Sequence, residues 1–189
     1  MRLGVCAAVL TVLAGASAWA HPEQGGSGFL HPFTGIDHLL AMVAVGVWAW
    51  LLSARKPAAA LLVPFAFLVM MALGATAGFA GIALPLTEAI ILASVFALGA
   101  LVLSAVRPPM AVAMTLVGLL AVFHGHAHAI EAPPQGPGAY VLAFLATTAF
   151  LHAAGLTLGW SAHRLLGTLG LRALGGLVLA GGAFVLVAQ

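Results

Sequence analysis

Six apolar segments fill most of this chain, each long enough to cross a lipid bilayer as a helix. They run over 31–53, 58–79, 86–106, 110–128, 139–160 and 165–188. The stretches between them are short and rich in turn residues. Arg55-Lys56-Pro57, Gly81 to Pro85, Arg107-Pro108-Pro109 and Pro133-Pro134-Gln135-Gly136-Pro137-Gly138 leave no room for a soluble domain. Only 5% of the residues are charged and 63% are hydrophobic, whereas soluble domains are about a quarter charged. So few charges cannot cover a water-facing surface. In lipid, apolar side chains need no polar shell and helices satisfy their own backbone. The expected fold is therefore an all-α membrane protein, a bundle of six transmembrane helices.

A signal peptide is expected ahead of the bundle. Arg2 supplies a positive start, Leu3 to Ala16 an apolar stretch, and Ala18-Trp19-Ala20 a small-residue cleavage pattern. That stretch falls short of the ~20 residues a span needs, which favours cleavage over an uncleaved first helix. The chain then divides into residues 1–20 as signal and 21–189 as the transmembrane domain. The only cysteine, Cys6, lies in the part removed, so neither a disulfide framework nor a thiolate metal site is expected.

The charges sort by side. Arg55, Lys56, Arg107, Arg164 and Arg172 fall at or near alternate connections, and Glu23, Asp37, Glu88 and Glu131 fall at the others. Lys and Arg favour cytoplasmic loops, which places both mature termini in the periplasm of a bacterial inner membrane. A cleaved signal puts His21 on the same side. With a net charge of only +2 and no basic cluster, a nucleic-acid partner is excluded. Gly74-x3-Gly78, Gly155-x3-Gly159 and Gly175, Gly176, Gly181 and Gly182 present small faces for close helix packing, within the bundle or in self-association.

Ionisable groups inside apolar spans are costly and mark function. They form two clusters. The first is His31-Pro32-Phe33-Thr34-Gly35-Ile36-Asp37-His38, at the outer end of the first span. His31 and His38 share a helical face, and Asp37 can ligate a metal or orient His38. The same pair would also serve simply to pin a helix end. The second is Phe123-His124-Gly125-His126-Ala127-His128 with Glu131, at the outer end of the fourth span. His124, His128 and Glu131 can point one way, and His126 points roughly opposite unless the turn unwinds. Three imidazoles in five residues are a metal-binding composition.

Both spans end outside, so the clusters are able to meet. Imidazole with carboxylate suits Ni²⁺, Co²⁺, Zn²⁺ or Cu²⁺ rather than Mg²⁺ or Ca²⁺. Met42, one turn below His38, reads as packing. His152 lies inside the fifth span, as a deeper station or a satisfied buried histidine. Glu88 is a rim charge or a ligand, His21 a donor at the new terminus, and His163 an interfacial residue.

His31-x5-Asp37-His38, followed by Leu39, Ala41, Met42, Gly46 and Trp48, resembles the HupE/UreJ family of nickel permeases. Phe123-His124-Gly125-x-Ala127-His128-x2-Glu131 is similar to that family's second signature, with Ala129 where glycine is expected. The resemblance covers essentially the whole chain. It implies uptake of Ni²⁺, or in some branches Co²⁺, for hydrogenase, urease or cobalamin pathways. It further implies that His31, Asp37, His38, His124, His128 and Glu131 handle the metal, with His126 at a variable position.

The expected function is a transporter with no permanently bound cofactor. The chain has no phosphate-binding loop, so energy must come from a gradient, a partner or trapping. A metal-binding sensor or accessory protein, and a cytochrome with haem between histidines such as His38 and His152, are the rivals. An enzyme is not expected, since Glu131 alone is placed to act as a general base. An echo between His38-x7-Gly46-x-Trp48 and His152-x6-Gly159-Trp160 points to an internal duplication.

Overall fold

A computed structural model describes residues 35–132 and 137–188. The 1–20 segment, His21 and His31 lie outside the described residues. Among the described residues the chain is all helix: α1 Ile36–Ser53, α2 Ala59–Phe79, α3 Thr87–Leu103, α4 Met110–Ile130 and α5 Pro137–Ala188. Four of these, all but the 17-residue α3, are long and apolar enough to cross a membrane, and the protein is a multi-pass membrane protein. Large apolar side chains such as Leu61, Phe65, Leu119, Leu142, Phe150 and Leu165 face outward, as a lipid solvent allows.

Two close crossings hold the bundle together. α2 packs along α4, and α1 packs along the first part of α5. A Cβ on Gly74 would overlap the Val122 carbonyl, and one on Gly125 would overlap the Met71 carbonyl. Likewise a Cβ on Gly46 would overlap the His152 carbonyl and come within 2.8 Å of Gly155 Cα. Backbones this near each other exclude every side chain larger than hydrogen, and in lipid such contact replaces the missing hydrophobic drive. Gly175, Gly181 and Gly182 lie against Leu103, Leu40 and Val95, so these glycines serve packing inside the chain. α1 is the most buried of the candidate spans, with Trp48 fully buried in its second half. The Trp48 indole N–H donates to the Val106 carbonyl at 3.0 Å and ties α1 to the α3–α4 connection.

The ends of the elements differ from the sequence expectation in three places. α3 stops at Leu103, because Ala105 turns into the left-handed region (φ 53°). Its N–H and that of Val106 then bond back to Val102 and Leu101, a Schellman-type stop made without glycine. α4 runs on to Ile130 and keeps His128 helical. A connection is expected near 161–164, but the helix continues through it and breaks at Gly167 (φ 61°, ψ −146°), a backbone state essentially confined to glycine. The limb after the break returns to α3, where Gly99 meets Leu179 and Gly175 meets Leu103.

The ends of α1–α5 alternate, so charge is segregated along the bundle axis. Asp37, Glu88 and Glu131 share one end. At the other end Arg55, Lys56 and Arg107 line a cavity of about 280 Å³ with Leu52, Ala59 and Pro109.

Candidate metal centre

The acidic end also carries the histidines. Asp37 lies in the first turn of α1, where the helix dipole favours a carboxylate. Its Oδ1 accepts from the His38 backbone N–H at 2.8 Å and from His38 Nδ1 at 3.0 Å. His124 and His128 lie one turn apart on α4 and meet the same imidazole. The ring centres of His38 and His124 are 4.9 Å apart, and those of His38 and His128 are 5.0 Å apart. His124 and His128 are fully buried, and His38 is nearly so. His128 stacks on Phe144 of α5 at 4.7 Å, which fixes its ring plane.

Hydrogen bonds decide which ring nitrogens are available. A carboxylate only accepts, so the neutral His38 ring donates from Nδ1 to Asp37. That leaves a lone pair on Nε2, which is buried and has no hydrogen-bond partner. Ser94 donates its hydroxyl to the Ile91 carbonyl at 2.6 Å and so accepts from His124 Nε2 at 3.0 Å. His124 Nδ1 is then the bare, buried nitrogen. Fixing one imidazole nitrogen through an outer partner, so that the other faces a metal, is how ligating histidines are held. A metal–nitrogen bond of about 2.1 Å places two imidazole centres sharing one ion tetrahedrally about 5 Å apart. The observed ring spacings match.

Not every expected residue joins this cluster. His126 turns away. Its Nε2 donates to the Ile82 carbonyl at 2.7 Å, and its Nδ1 lies 3.4 Å from Thr87 Oγ1, so it braces the α2–α3 connection instead. Glu131 caps α4 and Glu88 opens α3. Both are exposed at the rim of the same end, outside the packed rings. His152 lies deeper than the cluster, against α1, as described below. Among the described residues no three His, Cys, Asp or Glu side chains are arranged as a ready-made cage. Ser94 is missing from the sequence-derived set. A hydroxyl standing mid-span in an otherwise apolar helix is the signal that points to it.

The family model described as HupE / UreJ protein matches residues 8–185. This chain belongs to the HupE/UreJ family. Protein HupE of Rhizobium leguminosarum bv. viciae is 42% identical over 184 residues, covering 97% of this chain and 95% of that protein. No solved structure matches the chain. The match spans both histidine motifs that lie within residues 8–185, and the fold packs the His38 imidazole against those of His124 and His128.

Proposed function

We propose that this HupE/UreJ protein takes a divalent transition-metal cation, Ni²⁺ first and Co²⁺ second, inward across the bacterial inner membrane. One observation carries the reading. Imidazoles from α1 and α4 pack within 5.0 Å of each other inside an apolar bundle, and two of them keep a bare nitrogen. Buried polar groups left without partners are expensive unless a ligand supplies the missing bond. That the described residues stop short of a complete cage suits cargo, because an ion bound too well does not leave. His38, His124 and His128 would strip water from the ion. Asp37 would hold His38 in register, while Glu131 and Glu88 would gather cations at the rim. His31 would join from the segment preceding α1.

The proposal includes six crossings: α1 to α4 and the two limbs of α5 on either side of Gly167. At 17 residues α3 spans about 26 Å and needs a slightly thinned bilayer. It also includes removal of residues 1–20. The Arg55, Lys56 and Arg107 end would face the cytoplasm and both mature termini the periplasm. The family resemblance supports service to hydrogenase or urease rather than catalysis by this chain. A haem held by His38 and His152 fits poorly. His38 is packed against His124 and His128, and His152 is bonded to the α1 backbone, which leaves no slot for a porphyrin.

The test is nickel accumulation by whole cells carrying His38→Ala or His124→Ala. Each is expected to abolish uptake while the protein remains in the membrane. Normal uptake in both would end the transport reading. Retained binding without flux in the wild type would leave an accessory protein that holds the metal.

A further inference from the structure

Below the outer cluster a second group of polar atoms is buried without evident purpose. Tyr140, Phe144, Thr148 and His152 follow each other at four-residue intervals along α5 and form one helical stripe. Phe144 stacks on His128, so the stripe begins at the outer cluster. His152 donates from Nδ1 to the Met42 carbonyl at 2.8 Å. Met42 lies one turn below His38, so His152 is only about 5 Å deeper than the outer cluster. The carbonyl can only accept, and this fixes the tautomer. Nε2 carries the lone pair, is buried and has no partner.

The same outer-partner arrangement prepares His38 and His124. Thr148 is fully buried, and its Oγ1 has no partner either. A helical threonine ordinarily bonds back to a carbonyl of the preceding turn. Thr76 and Thr157 of this chain do so, at 2.9 Å and 2.7 Å. Between the two levels stands the Phe67 ring, 5.6 Å from that of His124 and 5.1 Å from that of His152.

We propose that His152 and Thr148 form an inner cation station, where the ion is held by Nε2 and Oγ1 after it leaves His38 and His124 and passes Phe67. The inference rests on the transport reading and extends it, because it assigns donors to the next step of the path below the outer cluster. An imidazole and a neutral hydroxyl bind a late first-row divalent ion weakly enough to let it go. The close crossing of α1 and α5 at Gly46 and Gly155 is then a positioning device, since it presses the Met42 carbonyl against His152.

Purified full-length protein titrated with Co²⁺, together with cobalt and nickel uptake by cells, tests this. His152→Ala and Thr148→Val are expected to bind one fewer Co²⁺ per chain and to lose at least ~10-fold in uptake, while cobalt still binds at the outer cluster. His152→Cys adds a readout that packing alone does not move. A thiolate at the station gives cobalt a sulfur charge-transfer absorption and turns selectivity toward thiophilic ions. If His152→Ala fails to fold, Thr148→Val and His152→Cys decide. Wild-type stoichiometry and uptake in both, with no sulfur–cobalt band, overturn the inner station. A wild type that takes up neither ion overturns the transport reading itself, which is a different result.

Discussion

Replacing Gly46 by alanine tests how far the site depends on the α1–α5 crossing. The added Cβ would sit 2.8 Å from Gly155 Cα and from Leu156 N, and would overlap the His152 carbonyl. Ordinary carbon contact begins near 3.4 Å, so the two helices must part by roughly 1 Å. The His152 Nδ1 to Met42 bond, now 2.8 Å, would stretch beyond hydrogen-bonding range. Losing it costs about 1 kcal/mol, and the forced overpacking about 1–3 kcal/mol more. At 2–4 °C per kcal/mol for a chain of this size, melting should fall by roughly 5–15 °C. Uptake should fall with it, because His152 and Thr148 move away from α1.

The control is Gly176→Ala, whose Cβ meets nothing within 4 Å. It should leave melting unchanged or raise it slightly, since alanine favours helix by about 1 kcal/mol over glycine. Both variants are followed by thermal unfolding in detergent and by nickel uptake. The reasoning is refuted if Gly46→Ala melts and transports like Gly176→Ala.

Other expectations follow from the same structure. Imidazoles bind metal only when neutral, so uptake should decline as external pH falls through the histidine range; initial rates of nickel uptake that rise as pH falls from about 7.5 to about 5.5 would contradict imidazole ligation. Ala105 holds a left-handed backbone at φ 53°, so Ala105→Gly should stabilise the protein by about 1 kcal/mol, seen as a rise in melting temperature without change in uptake. His126→Ala removes the brace to Ile82 and should lower melting while cobalt affinity, measured by titration, stays within about twofold of wild type. A large loss of affinity would return His126 to the metal site.

Much of this arrangement was legible in the sequence. Alternating placement of Arg and Lys against Asp and Glu assigned the ends of the helices before any packing was known. It put His38 at the same end as His124 and His128, and helical spacing predicted that His124 and His128 share a face. The same spacing turned His126 away from His124 and His128, and the structure shows what receives it, the Ile82 carbonyl. What spacing cannot convey is which neighbour a face meets. Ser94 orients His124 from a third helix, and nothing local to either residue specifies that pairing.

Depth is hidden from the sequence for a related reason. His152 lies far along α5, yet it sits level with Met42, because depth depends on how α5 is staggered against α1. A break is expected near 161–164, beside Arg164. It falls instead at Gly167, where the backbone alone demands glycine.

The central claim is that the His38, His124 and His128 cluster admits a metal ion to a path through the bundle. Radioactive nickel flux into proteoliposomes, wild type against the His38→Ala/His124→Ala double variant, measures this most directly. The account predicts time-dependent accumulation with the wild type and a rate no higher than empty liposomes with the double variant. Equal flux in the two, or wild-type protein that binds nickel at its surface and passes none inside, would contradict it.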